Sequence, residues 1–121
     1  MAWAGWLFAA GSAIHLFDHL RRGQDSVTDE LFWAGNVAII LQVVVVTLCV
    51  TRHPKAAVVA APAGFALAIG FLAAHWLPEW SALSDSFIDG DVSVFSWFAS
   101  AVEIGGALVV GAVAWPMARR R

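Results

Sequence analysis

Apolar residues run along this chain in four long stretches that lack two-residue alternation and are separated by short polar segments. At about 1.5 Å of helical rise per residue, each stretch reaches about 30 Å, the thickness of a membrane's hydrocarbon core. A β-barrel is excluded, because its strands are about half as long and alternate in hydrophobicity. The pattern predicts an all-α integral membrane protein, a single-domain four-helix up-down-up-down bundle, since short connections join antiparallel neighbours. The predicted spans are 2–20, 31–50, 56–77 and 92–116.

Composition supports the membrane interpretation. The chain is 60% hydrophobic and 13% charged, whereas a soluble domain is about 45–50% apolar and about 25% charged. A net charge of −2 offers nothing to a phosphate backbone, so no nucleic-acid partner is expected. The single cysteine, Cys49, has no partner for an internal disulfide and is expected to be a core thiol. The expected partner is the lipid bilayer of a cell membrane.

The charged residues outside the spans differ in sign between the two sides of the membrane. The 51–55 loop and the C-terminus together carry five basic residues and no acid, whereas the 21–30 and 78–91 segments carry two arginines and seven acids. The positive-inside rule therefore predicts that both termini and the 51–55 loop are cytoplasmic. Arg21 and Arg22 follow the first apolar stretch instead of preceding it, which disfavours a cleaved signal peptide. Tryptophans near both ends of the spans are typical of interfacial aromatic belts.

Polar residues inside spans are costly to insert and usually face a bundle interior, where they mark a site or pathway. Most of those in this chain lie in the outer half of the bundle, whereas Glu103 lies about eleven residues into the fourth span, near mid-membrane. This distribution predicts an outward-facing polar pocket with Glu103 at its floor. The polar residues within or at the edge of the spans are His15, Asp18, His19, Asn36, Gln42, His75 and Glu103.

Helical spacing directs the titratable residues toward the interior. His15 and His19 are four residues apart and share one helix face, which continues to Phe8, Gly11 and Ser12. Small residues let helices approach closely in lipid, and they accompany the titratable residues on the other spans. The predicted stripes are Ser96, Ser100, Glu103 and Ala107 with Gly106 beside them, and Ala61, Gly64, Ala68, Leu72 and His75.

The leading hypothesis is that this pocket binds a metal ion or a small ligand. His15, His19 and His75 are the candidate nitrogen ligands, and Glu103 is a carboxylate ligand or base. Imidazole and carboxylate suit a divalent transition metal such as zinc. Asp18 and Asn36 are candidate binding residues, and Asp18 can orient an imidazole by hydrogen bonding.

Three alternatives stay open from the sequence. A proton-coupled small transporter, or an acid–base membrane enzyme acting on an amphipathic substrate, would use Glu103 and His75 as its catalytic groups. Haem held between His19 and His75 is a weaker cofactor candidate than zinc. In a structural or accessory subunit, Glu103 would only hydrogen-bond between helices. A homo-oligomer or a larger membrane complex is compatible with each reading, because four spans of this size enclose little volume.

The loops carry weaker signals. His75 and Glu79 are spaced as an i,i+4 pair at the outer rim. Together with Glu103 and the segment Ile14–Asp18, which contains His15, they give His and acid pairs. In residue types, though not in order or spacing, these pairs resemble those of EXPERA-type sterol-isomerase and sterol-binding membrane proteins. The acidic 78–91 loop lacks the spacing of an EF-hand calcium loop and is expected to be solvated. His53 is expected to be a cytoplasmic loop residue without a role in the site.

Overall fold

The computed structural model describes residues 1–120, and in that range it contains four long α-helices, one short 3-10 turn at Gln24–Ser26 and no strand. The prediction of an all-α protein with four helices is therefore confirmed. Each helix matches one predicted span to within two residues at either end. The helices are α1 (Ala2–Arg22), α2 (Asp29–Val50), α3 (Ala56–His75) and α4 (Val94–Ala118).

Two of the helices begin at side-chain caps. The hydroxyl of Thr28 accepts a hydrogen bond from the backbone N–H of Leu31 at the start of α2, and Ser93 does the same for Ser96 at the start of α4. Such caps satisfy N–H groups that have no partner within the helix. At its other end α3 stops at His75, so Glu79 lies in the following loop and is exposed. The predicted i,i+4 relation between His75 and Glu79 is therefore wrong.

Helix α4 packs against both α1 and α3 through glycines. Gly106 lies against the backbone of Phe8 on α1, and a Cβ added to Gly64 on α3 would lie 2.7 Å from the carbonyl oxygen of Ala107. Toward the other end of α4, Trp76, which directly follows α3, donates a hydrogen bond to Ser100, and Arg21 of α1 donates one to Ser96. The order of these contacts makes α4 antiparallel to α1 and to α3. It follows that α1 and α3 run in the same direction and end at the same side of the bundle.

Most positions of the predicted stripes are buried. The stripe on α4 is fully enclosed, and on α3 only Leu72 departs from the pattern, because its side chain is exposed. The tryptophans divide into two groups. Trp76 and Trp97 pack on each other with ring centroids 5.8 Å apart, so they contribute to packing, whereas the remaining tryptophans are exposed near helix ends or in the 78–91 segment.

Three of the helices, α2, α3 and α4, are long and apolar enough to cross a membrane. Helix α1, the first predicted span, is not among them. Its second half carries His15, Asp18 and His19 and ends in two arginines, which lowers its overall hydropathy. Helix α2 is the most exposed of the apolar helices, with only Gln42, Val45 and Cys49 buried.

Candidate metal centre

Three histidine side chains converge near one end of the bundle, where His15 and His75 are buried and His19 is half-buried. His15, His19 and His75 each offer a ring nitrogen, and these nitrogen atoms all lie within 4.8 Å of one another. The ring centroid of His15 is 4.6 Å from that of His19 and 4.8 Å from that of His75. The His19 and His75 centroids are 5.7 Å apart. The three predicted nitrogen ligands therefore form one cluster.

The fold explains why residues sixty positions apart meet. Helices α1 and α3 run parallel, so their C-terminal ends lie side by side. His15 and His19 occupy consecutive turns near the end of α1, on the face that packs inward. His75 is the last residue of α3. Two helices thus supply three imidazoles at the same end of the bundle.

Glu103 reaches the cluster through His15. Its Oε2 atom lies 3.6 Å from Nε2 of His15 across the α1–α4 contact, and the two residues are only 2% and 5% exposed. Among residues 1–120, neither Glu103 Oε2 nor His15 Nδ1 has a hydrogen-bond partner. Ser12 and Gln42 face the same carboxyl group. Glu103 therefore has a carboxylate oxygen free to bind a cation or a proton.

His75 contacts a residue that the sequence analysis assigned to a solvated loop. Its Nδ1 atom lies 3.4 Å from Oδ2 of Asp85 and 3.3 Å from the carbonyl oxygen of the same residue. Arg22 donates two hydrogen bonds to the Asp85 carboxylate, at 2.5 and 2.7 Å. Asp85 is only 9% exposed, so the expectation of a solvated loop is wrong at this residue, although it fits the exposed Asp89 and Asp91.

Backbone and aromatic contacts hold this part of the loop on the end of α3. The N–H of Asp85 donates to the carbonyl of Ala74, and that of Phe87 donates to the carbonyl of His75. The ring centroids of Phe87 and His75 are 4.7 Å apart, and the Arg22 guanidinium lies 5.3 Å from the centroid of the Phe87 ring. Burial alone would raise the pKa of Asp85, but the hydrogen bonds from Arg22 and His75 hold that pKa well below its usual range.

Asp18 and Asn36 lie outside the cluster of imidazoles. The Asp18 carboxylate accepts hydrogen bonds from Arg21 at 2.7 and 3.2 Å, and Arg21 also donates to Ser93 and Ser96. The Asn36 amide donates to the carbonyl of Phe32 within α2. Among the described residues neither side chain forms a hydrogen bond with a histidine, so the structure does not show the imidazole-orienting contact that was suggested for Asp18.

Arg22 and Asp85 are the two site residues that sequence reasoning missed. Arg22 lies one turn after Asp18 and His19 in the sequence, but nothing in the spacing shows that it pairs with a residue 63 positions later. The pairing could have been predicted only from chemistry. A partly buried arginine at the end of a polar helix face needs an acidic partner.

An acidic pocket of about 370 Å³ opens beside Asp85 at the end of the bundle that holds the imidazoles. Its lining includes Asp25, Glu79 and Asp89, together with Asp85. Among the described residues, the three histidines form the group of side chains that can hold a metal ion. No protein-family model matches the chain, and comparison with curated proteins and with solved structures gives no match.

Proposed function

We propose that the protein is an integral membrane protein with four spans that binds a divalent transition metal of the zinc class in an intramembrane site. The nitrogen ligands are His15, His19 and His75, and Glu103 is the carboxylate ligand or an adjacent base. The convergence of the three imidazoles, with ring nitrogens within 4.8 Å, carries this proposal. The spans are the four helices, with both termini and the 51–55 loop in the cytoplasm.

The donor set favours a transition metal over calcium or magnesium. Imidazole nitrogen suits zinc, cobalt, nickel and copper, whereas calcium and magnesium prefer oxygen ligands. Zinc–nitrogen bonds of about 2.0–2.1 Å require the three ring nitrogens, which lie within 4.8 Å of one another, to move closer around a common point. With Glu103 as the fourth ligand the site is closed; with Glu103 as a base, the fourth position is left for water or substrate.

The surroundings support binding of a bare ion more than binding of haem. The three rings touch one another, and Phe71 and Phe87 pack on two of them. A porphyrin between His19 and His75 would need α1 and α3 to move apart. A small ion needs no such movement, and the acidic pocket beside Asp85 concentrates cations at the same end of the bundle.

The experiment is metal binding by the purified protein in detergent. The native chain is incubated with zinc or cobalt, excess metal is removed, and bound metal is measured by elemental analysis. We expect about one bound ion per protein chain in the native protein. Binding should be at least tenfold weaker in His15→Ala and in His75→Ala. Cobalt also provides an absorption spectrum that reports coordination by nitrogen and oxygen.

His53→Ala is the matched control, because His53 is exposed and lies in the loop at the other end of the bundle. This variant removes one imidazole from the chain without touching the cluster. Equal binding by native protein and His53→Ala, together with loss in the two cluster variants, supports the proposal. No metal bound above background by the native chain, or equal losses in all three variants, would refute it.

The contact between His15 and Glu103 favours a second candidate function, proton-linked transport or acid–base catalysis. A buried carboxyl 3.6 Å from an imidazole can exchange a proton with it through a small side-chain movement. Glu103→Gln keeps the size of the side chain and removes its ionisation. Loss of proton uptake by vesicles, with metal binding unchanged, would assign Glu103 to proton transfer and not to binding of the metal.

A further inference from the structure

We infer that Asp85, held in place by Arg22, is a positioning residue that fixes the His75 ring and leaves its Nε2 atom available to bind the metal. The inference rests on the proposed metal site and adds two residues to it that do not themselves bind the ion. It concerns the contact between the end of α3 and the outer loop.

The atoms around His75 select one tautomer. Nδ1 faces two oxygen atoms of Asp85, the carboxylate Oδ2 at 3.4 Å and the backbone carbonyl at 3.3 Å. Both oxygens only accept hydrogen bonds, so the hydrogen of the neutral ring belongs on Nδ1. Nε2 then carries the lone pair that a metal requires.

Arg22 prevents the Asp85 carboxylate from turning away. Its two terminal nitrogens donate to the two carboxylate oxygens, at 2.5 and 2.7 Å, in the forked geometry that arginine makes with carboxylates. The side chains of both residues are largely enclosed, and the Arg22 guanidinium also stacks on Phe87, which itself packs on His75. Arg22, Asp85, Phe87 and His75 therefore form one continuous assembly.

This arrangement has a known chemical consequence in metal sites. A carboxylate that accepts the second ring N–H of a ligating histidine orients the ring and increases its basicity, and loss of the carboxylate typically weakens metal affinity by about 10–100-fold. Asp85 has the position that this role requires, on the far side of the His75 ring from its free nitrogen. Among residues 1–120, His15 also has a carboxylate within 4 Å, with Glu103 at 3.6 Å from its Nε2, whereas His19 has none.

The test measures the cobalt affinity of the 121-residue chain in detergent. We expect Asp85→Ala to weaken it by about 10–100-fold. Asp91→Ala is the matched control, because it removes the same charge from an exposed position of the same loop. We expect this control to bind within about twofold of the native protein. In a His75→Ala background, Asp85→Ala should have no further effect, because the ring that it positions is gone.

A second measurement does not depend on metal. Nitrogen NMR of histidine-labelled protein reports which ring nitrogen carries the hydrogen, and His75 should carry it on Nδ1 in the native protein. Two results would overturn the inference while leaving the metal site intact. One is an equal cobalt affinity in Asp85→Ala and Asp91→Ala. The other is a loss of affinity on adding Asp85→Ala to His75→Ala that is as large as its loss in the native protein. A native protein that binds no cobalt would refute the metal site itself, and hydrogen on Nε2 of His75 would then overturn the positioning role as well.

Discussion

His15 and Glu103 approach to 3.6 Å between Nε2 and Oε2 at a point where α1 and α4 are in backbone contact. Gly11 lies one turn before His15, and a Cβ added to it would lie 2.6 Å from the carbonyl oxygen of Val102. The absence of a side chain at Gly11 therefore sets the separation of the two helices. It also sets the distance between the imidazole and the carboxyl group.

Gly11→Ala is expected to destabilise the protein. The added methyl group meets rigid backbone of α4, so the helices must move apart, at a cost of about 1–3 kcal/mol. Gly105→Ala is the matched control, because a Cβ at Gly105 meets nothing within 4 Å. It should be neutral or stabilising by up to about 1 kcal/mol, since alanine favours helix more than glycine. Thermal unfolding in detergent compares the two, and equal melting temperatures would contradict this account of the α1–α4 contact.

The contact between α3 and α4 leads to a parallel prediction at Gly64. A Cβ there would lie 2.7 Å from the carbonyl oxygen of Ala107 and 2.7 Å from the backbone nitrogen of Gly111. Gly64→Ala should therefore lower the free energy of unfolding by about 1–3 kcal/mol. Gly70→Ala, on the same helix but with open space around it, should not. A Gly64→Ala protein as stable as Gly70→Ala would mean that the helices can separate without loss.

The helices and their buried faces were predictable from the sequence because both follow from local pattern. Apolar stretches of about 20 residues determine where a helix can cross lipid, and small residues at helical spacing mark the face that packs. The meeting of His15, His19 and His75 was predictable for the same reason, since depth and face together place them. Hydropathy and helical spacing do not indicate which residue of a loop contacts a helix that is distant in the sequence.

The loop between α3 and α4 could not be predicted from local pattern. The acids of the 78–91 segment look alike in sequence, yet Asp85 is buried against Arg22 and His75 while Asp91 is exposed. The difference depends on backbone hydrogen bonds that fold the loop onto the end of α3. Asp18 is the converse case, because its place beside His15 suggested an imidazole partner, whereas its carboxylate pairs with Arg21 instead.

The proposed orientation in the membrane predicts which loops are accessible from outside. In a Cys49→Ala background, cysteine replaces either His53 or Asp91, which are exposed at opposite ends of the bundle. A membrane-impermeant maleimide should label Asp91→Cys in intact cells, because the positive-inside rule places that loop outside. It should label His53→Cys only after the cells are opened. The reverse pattern would invert the orientation, and labelling of both in intact cells would contradict the proposal that one span, α3, separates them.

Asp18 and Arg21 tie the end of α1 to the start of α4, and this contact predicts a loss of stability without a loss of metal. Asp18 is fully buried and accepts two hydrogen bonds from Arg21, whose guanidinium also donates to Ser93 and Ser96. Asp18→Asn removes the charge that Arg21 binds, and hydrogen bonds to charged groups contribute about 1.5–3 kcal/mol. We expect a lower unfolding temperature and unchanged cobalt affinity.

Asp25→Asn, at an exposed position, controls for the loss of one negative charge at the same end of the bundle. If Asp18→Asn instead weakened cobalt binding at unchanged stability, Asp18 would belong to the metal site and not to the packing of α1 on α4.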